Sequence, residues 1–183
     1  GLDFDERQLA LAEVVQLENQ GYQFEAAEGS FELLARREQG LYSDLFSLVN
    51  FRTINRKNVG ESEDAEAIVK VSVEGGVFHT VASGDGPVNA LDRALRKALE
   101  EKFPSVCQVH LEDYKVRVLS SGDGTAAKVR VLIESSDGND SWGTVGVSEN
   151  VIDASWVALA DSLHYKLMKD ALAAGKVDVH RSL

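Results

Sequence analysis

The spacing of hydrophobic residues changes near position 45. Before that position, apolar side chains recur at three- and four-residue steps, which predicts one helix over residues 5–18 and a second helix that ends at Gly40. After it, apolar and polar residues alternate, which predicts β-strands. Helical spacing then returns twice, in a helix that begins with Pro87 and in a long closing helix capped by Gly175.

Three strands followed by a helix occur twice in the chain. Residues 79–91 form a strand, a glycine turn and a helix start, and residues 143–155 repeat their Thr-Val pair and Val/Ile-Asn/Asp-Ala triplet 64 positions later. Similarity at a fixed period indicates a duplicated structural unit. The two units are expected to span residues 42–104 and 105–175.

The upstream strands carry the match further back. Residues 50–53 correspond to residues 113–116, and a two-residue insertion aligns residues 74–76 with residues 136–138. Gly75-Gly76 predicts a two-residue hairpin turn.

The element order predicts an α+β fold of two repeated βββα units, with residues 42–183 as one domain and residues 1–41 as a helical linker. Each unit is expected to be a three-stranded antiparallel sheet covered on one face by its helix, with the two sheets joined. Two short linker helices cannot bury their apolar faces alone, so they must lie against this chain or against a domain missing from it. Open sheet edges and a bare sheet face favour coverage by a second copy of the chain.

Composition narrows the possible partners. Thirty acidic and nineteen basic residues give a formal charge of −11, which repels nucleic acid and anionic lipid, and no basic patch offsets it. Lys115, Arg117, Lys128 and Arg130 alternate with apolar residues, as on the wet face of a half-covered sheet. No apolar run reaches the roughly 18 residues of a membrane span, so a soluble, cytoplasmic protein is expected. Cys107, at the start of an apolar strand, is interpreted as a buried reduced thiol.

The chain offers little catalytic chemistry. Its four histidines stand singly, which does not favour a metal site, and residues 135–140 resemble a calcium loop but lack its closing glutamate, so a polar hairpin turn is expected there. No nucleophile is paired with a base and no phosphate-binding loop is present. We therefore expect no catalytic residue within this chain.

Two turns and one aromatic residue could bind a ligand. The turn at residues 84–87 leads into a helix start that suits a small carboxylate, or it is simply a glycine turn. The equivalent turn at residues 148–150 is more simply interpreted as helix capping by Ser148 or Asn150. Tyr114 lines a pocket or belongs to the core. Trp142 and Trp156 are expected to anchor the second unit.

Four motifs in order resemble one known family. Residues 84–91, 111–119, 124–131 and 142–150 closely resemble the C-terminal regulatory domain of the isopropylmalate synthase family, and the resemblance covers residues 42–172. Residues 21–28 and 30–34 resemble the linker helices of its citramalate synthase branch.

The resemblance implies that this chain is the C-terminal part of a longer acyltransferase. Its metal-dependent (β/α)8 barrel would condense acetyl-CoA with pyruvate to citramalate for isoleucine synthesis, so no cofactor is expected here and the divalent metal belongs to the absent barrel. The regulatory domain would form a homodimer that binds the end-product amino acid between subunits. Isoleucine is expected, and leucine is the alternative within the same class. A dimerisation module without ligand is a second hypothesis, and a self-contained small enzyme is a disfavoured third.

The family's effector-binding positions carry over motif by motif. The glycine turn would offer its N–H groups to the ligand carboxylate, and the second unit would offer branched and aromatic side chains to the apolar part. The implied residues are Gly86, Val88, Asn89, Leu111, Tyr114, Val118, Ala127, Ser148 and Asn150.

Overall fold

A computed structural model describes residues 4–56, 64–119 and 127–175, with the side chains of the first helix described from residue 12. The predicted order of helices and strands is confirmed, with one short 3₁₀ helix added. The elements are α1 (Phe4–Gln20), α2 (Glu28–Glu38), β1 (Phe46–Arg56), β2 (Asp64–Val73), β3 (Gly76–Gly84), α3 (Pro87–Leu99), the 3₁₀ helix (Pro104–Gln108), β4 (His110–Val118), β5 (Val129–Ser136), β6 (Ser141–Ser148) and α4 (Val151–Ala173).

The described strands form two antiparallel sheets of three, in the orders β1-β2-β3 and β4-β5-β6. The α+β class and the repeated βββα units are therefore confirmed, whereas the expected joined sheet is wrong for these strands. The chain divides into two compact units: Asp44–Gln108, here the first-repeat unit, and Gly1–Ser43 with Val109–Leu183, here the second-repeat unit.

Matching hydrogen bonds confirm the duplication. The Thr80 hydroxyl donates to the Ala94 carbonyl at 2.7 Å, and the Thr144 hydroxyl donates to the Ala158 carbonyl at 2.8 Å. Each bond fixes a third strand to its helix. The first strands also match, because each pairing register shifts at the same place, between Leu48 and Asn50 in β1 and between Leu111 and Asp113 in β4. A β-bulge is therefore duplicated with the unit.

The hairpin between β2 and β3 lies one residue earlier than expected. Val73 pairs with Gly76, and the turn consists of Glu74 (φ 49°) and Gly75 (φ 80°). Positive φ at both central residues is the type I′ geometry that suits the twist of two-residue hairpins.

The prediction of a two-residue insertion near this turn is also wrong. Ser136 pairs with Ser141, just as Ser72 pairs with Val77. The Asp137 N–H then donates to the Asp140 carbonyl at 3.1 Å. One constant offset of 64 residues relates the second and third strands of the two units.

The core of the first-repeat unit lies between β2 and α3. Along β2 every second residue is buried, and Val69, Val71 and Val73 face the helix. Leu91, Leu95 and Leu99 of α3 are fully buried against them, as the helical spacing predicts. Pro87 occupies the start of the helix, as expected.

The second-repeat unit buries larger side chains. Trp142 is 1% exposed, and its indole N–H donates to the carbonyl and hydroxyl of Ser162 at 3.2 Å each. Leu159, Leu163 and Met168 of α4 complete this core. Trp142 is thus the anchor that the sequence predicts, and Trp156 is also buried.

Linker helix α2 lies against this chain, in the second-repeat unit. The side chains of Glu28 and Ser30 accept the N–H groups of Gly143 and Val145 at 3.0 Å each, along the free edge of β6. Leu33 is fully buried beneath α2. The start of α2 therefore satisfies backbone donors that an open sheet edge would leave exposed.

Two surface expectations are corrected. Cys107 lies in the 3₁₀ helix and is exposed, because this helix replaces the start of the expected strand. Arg130 is half-buried rather than wet, since it donates to the Gly21 carbonyl and the Gln23 side chain at 2.6 Å each. Lys115, Arg117 and Lys128 are exposed as expected. None of the helices in the described part of the chain is both long and apolar enough to span a membrane.

Candidate functional site

The turn before α3 is shaped by Gly84 rather than by Gly86. A Cβ atom on Gly84 would lie 2.5 Å from the Ala90 nitrogen and 2.6 Å from the Asn89 side-chain oxygen, so only glycine fits there. Gly86 is extended (φ −172°), and a Cβ atom on it would meet no atom within 4 Å. Nothing in the local fold requires glycine at position 86.

The start of α3 has unused donors. In any α-helix the first N–H groups lack partners inside the helix. No side chain in the described part of the chain caps this end, and Pro87 has no N–H. The Asn89 side chain instead accepts from the Asp85 N–H at 3.3 Å. The N–H groups of Val88 and Asn89 therefore remain for an acceptor from outside the helix.

The equivalent turn before α4 supplies its own cap. The Asn150 side chain accepts from the Ile152 N–H at 2.8 Å, and the Ser148 hydroxyl accepts from the Asn150 N–H at 3.1 Å. The capping interpretation of this turn is confirmed. Asn150 stands 64 residues after Gly86, so the same position is capped in one repeat and open in the other.

Tyr114 is half-buried and tied to α4. Its hydroxyl lies 2.8 Å from the hydroxyl of Ser155, which is fully buried and lies 2.6 Å from the Val151 carbonyl. Because the Ser155 proton goes to that carbonyl, the Tyr114 hydroxyl is the donor between the two. Tyr114 is thus both a packed residue and a partly accessible one.

The sequence motifs did not point to Ser155 as a partner of Tyr114, although comparison of the two repeats does. Ser155 corresponds to Leu91, a core leucine of the first repeat. A serine at a core position of the second repeat indicates a buried polar contact, which Tyr114 provides.

The remaining predicted residues lie along one end of the second sheet, with one exception. Val118 pairs with Val129, which pairs with Ser148, and Val118 is 61% exposed. Ala127 is buried just before β5. Leu111, at the other end of β4, pairs with Ser135.

The nine predicted positions therefore fall into two groups. The first-repeat unit contains Gly86, Val88 and Asn89 in one turn. The second-repeat unit contains Leu111, Tyr114, Val118, Ala127, Ser148 and Asn150. Each group is described within its own unit.

A cavity of about 200 Å³ lies where the linker meets the second sheet. Ala26 and Glu28 line it from the linker, and Asp113, Lys115 and Glu134 line it from the sheet. Lys115 forms an ion pair with Asp113, and this hydrogen bond is the main reason that the pKa of Asp113 lies below its ordinary value. Because these opposite charges already pair with each other, the cavity is a weaker candidate for ligand binding than the turn at Gly86. In the described part of the chain, no three His, Cys, Asp or Glu residues are grouped to hold a metal ion.

A duplicated βββα unit preceded by linker helices defines a class of small α+β domain. The chain belongs to the family described as the LeuA allosteric (dimerisation) domain, which matches residues 25–167. The resemblance drawn from the sequence motifs is thereby confirmed.

Named relatives agree with this assignment. The chain is 53% identical over 175 residues to the (R)-citramalate synthase of Aquifex aeolicus (strain VF5), covering 93% of this chain and 33% of the relative. It is 54% identical over 160 residues to the (R)-citramalate synthase of Geobacter sulfurreducens, covering 87% and 30%. The 2-isopropylmalate synthase of Shewanella woodyi is 30% identical over 118 residues, covering 64% and 21%. The chain thus spans about a third of the length of the citramalate synthases that it matches.

Proposed function

We propose that this chain is the regulatory domain of a cytoplasmic citramalate synthase, and that it binds isoleucine as a feedback inhibitor between two copies of itself. The catalytic barrel would belong to the same longer protein and would condense acetyl-CoA with pyruvate. Identities of 53% and 54% to citramalate synthases, against 30% to a 2-isopropylmalate synthase, support this choice of enzyme. The family's allosteric and dimerisation description supports the role.

The uncapped start of α3 carries the proposal. A carboxylate placed there would accept from the N–H groups of Val88 and Asn89 and would face the positive end of the helix dipole. Gly86 would allow this approach, since its backbone lies open to solvent without a side chain. At the turn before α4, the Asn150 side chain already accepts from the Ile152 N–H, and Asp153 adds a negative charge to the first turn. We therefore assign Ser148 and Asn150 a structural role.

The apolar part of the effector would contact β4. Tyr114 and Val118 offer an aromatic ring and a branched side chain there. Leu111 and Val118 are seven residues apart, which is about 23 Å along a strand. One amino acid cannot touch both within a single copy. In a dimer the two residues could come from different subunits, which is the arrangement that we propose.

Leucine remains the second candidate effector, because the relatives also include 2-isopropylmalate synthases. Isoleucine and leucine differ in the position of one methyl group. A pocket can separate such ligands by about 1–3 kcal/mol. We therefore expect preference rather than exclusion.

Two glycine variants test the site. Gly86→Ala should leave the free energy of unfolding within about 0.5 kcal/mol of the parent, because its new methyl group meets no atom. The same methyl group should obstruct the carboxylate and weaken isoleucine binding at least tenfold. Gly84→Ala is the matched control for folding. It should destabilise the chain by about 1–3 kcal/mol, because its methyl group collides with the first turn of α3.

Isothermal titration calorimetry with isoleucine and leucine, with pyruvate as the negative control, measures the binding, and urea titration measures the stability. Absence of heat from both amino acids in the parent chain would contradict the proposal. Equal isoleucine affinity for the parent and Gly86→Ala would place the effector elsewhere.

A further inference from the structure

Asp161 joins the linker to the closing helix. It lies on α4, six residues or about 9 Å along the helix after Ser155. One of its carboxylate oxygens accepts from the Ser30 hydroxyl at 2.8 Å, and the other accepts from two guanidinium nitrogens of Arg37 at 3.1 Å each. A single carboxylate thus bonds to the first and last turns of α2.

Ser30 extends this junction to the sheet. Its hydroxyl accepts from the Val145 N–H while it donates to Asp161, and its side chain is only 4% exposed. Because both of its bonds are buried, Ser30 can keep them only while α2 stays docked. The docking therefore depends on hydrogen bonds with fixed directions.

A second polar contact lies one turn further along α4. The Tyr165 hydroxyl donates to Glu32 at 3.0 Å, and Glu32 also pairs with Arg36 at 2.9 Å. Burial first, and then the charge of Glu32, raises the pKa of Tyr165, so this hydroxyl stays protonated and remains a donor. Apart from Leu33, the residues of α2 that are buried are Gly29 and Ser30. Several polar contacts therefore hold α2 in addition to the buried Leu33, and those made by Asp161 and Tyr165 come from α4.

Helix α4 also contacts Tyr114, one of the residues proposed to bind the effector. Ser155 receives the Tyr114 hydroxyl on one side of α4, and Asp161 receives α2 on another. Both residues therefore belong to one continuous helix, about 9 Å apart along its axis.

We propose that Asp161 is a positioning residue that couples effector binding to the docking of linker helix α2. This inference rests on the proposed function, since it takes isoleucine as the ligand that contacts Tyr114. Isoleucine packed against Tyr114 holds the Tyr114 hydroxyl on Ser155 and thereby fixes the position of α4, whose Asp161 bonds to Ser30 and Arg37. Coupling of this kind is reciprocal. If the effector strengthens docking of α2, then loss of docking weakens effector binding by the same factor, typically 5- to 150-fold.

Hydrogen exchange measured by mass spectrometry on the whole chain tests the coupling. In the parent, saturating isoleucine should slow the exchange of α2 amides at least fivefold. Asp161→Ala should speed their exchange without ligand and should raise the isoleucine dissociation constant at least fivefold by calorimetry. Asp170→Ala is the matched control, because it removes another carboxylate of α4, one that pairs with Lys166 of the same helix rather than with α2. It should change neither quantity.

Arg37→Gln provides a second route if Asp161→Ala does not fold. It removes one partner of Asp161 at a position 29% exposed and should show the same changes, to a smaller extent. Isoleucine binding to the parent with no change in α2 exchange, or with unchanged affinity in both variants, would overturn the coupling and leave the proposed function standing. If titration of isoleucine into the parent chain released no heat, the proposed function itself would instead be overturned.

Discussion

Lys166 is a nearly buried cation with two carboxylate partners. Its ammonium lies 2.7 Å from Asp137 and 2.9 Å from Asp170, and its side chain is 9% exposed. Burial alone lowers the pKa of a lysine, but the hydrogen bonds that Lys166 donates to these carboxylates outweigh burial and raise the pKa of Lys166. In return, the Lys166 hydrogen bond, followed by the N–H groups of Asp140 and Asn139, holds the pKa of Asp137 well below its usual range.

Replacing Asp137→Asn should therefore cost about 1–3 kcal/mol of unfolding free energy at pH 7, the usual worth of a hydrogen bond to a charged group. The pKa of Asp137 is depressed in the folded state, so its contribution is complete above the unfolded pKa, near pH 4, and is lost as the pH falls through the folded pKa. Urea titrations of both proteins at pH 7 and pH 3 should show a gap that narrows at pH 3. A gap that widens on acidification would contradict this.

At this scale the sequence predicts a residue's neighbours better than its distant partners. Residues 137–140 form the polar hairpin turn that was expected, because closely spaced Asp, Asn and Gly favour turns. Nothing in that local pattern points to Lys166, 29 residues away. The partner becomes visible only when β5, β6 and α4 are packed together.

Gly143 determines how closely the linker approaches β6. A Cβ atom at this position would lie 2.1 Å from the Ala26 carbonyl oxygen and 2.9 Å from its carbon. Two backbones meet here without a side chain between them, and no flexible group can move aside. The glycine is needed for the packing of one element on another.

Gly143→Ala should accordingly displace the linker and lower the free energy of unfolding by about 1–3 kcal/mol, the usual cost of overpacking. Limited proteolysis should also cut the linker faster. Gly76→Ala is a suitable control, because its methyl group would sit at ordinary contact distances of 3.4 and 3.6 Å. Equal stability and equal cleavage in the two variants would show that the linker docks by another route.

The elements themselves follow from periodicity, and their equivalence follows from the repeat. The match of residues 50–53 to residues 113–116 agrees with the duplicated bulge. The insertion near the hairpins was misplaced because glycine identities were aligned, whereas strand pairing depends on register. The docking of α2 could not be predicted either, since it depends on hydrogen bonds to β6 and α4 rather than on an apolar stripe.

The first strand of each repeat exposes apolar side chains. Leu48 and Val49 of β1 are 40% and 49% exposed, and Val116 and Val118 of β4 are 46% and 61% exposed. Contiguous exposed apolar side chains favour a protein interface. Together with the family's dimerisation description, they support the proposed homodimer.

If β4 lies in that interface, then the double replacement Val116→Thr and Val118→Thr should weaken the dimer at least tenfold, while threonine preserves the strand. Light scattering across a dilution series should give twice the chain mass of 19.9 kDa for the parent and a shift towards the monomer for the variant. Val77→Thr, a change at a residue 60% exposed in the other repeat, is the control. If the double replacement leaves the dimer affinity unchanged, this strand does not lie in the interface.

The two repeats show what a duplicated gene segment makes possible. The Asn150 side chain caps its own helix, whereas Gly86 provides no side-chain cap at the matching position. An ancestor with two identical copies could lose one internal cap and still fold around the other. If an effector binds at Gly86 as proposed, such a site could have arisen by loss of a capping side chain, without a new pocket.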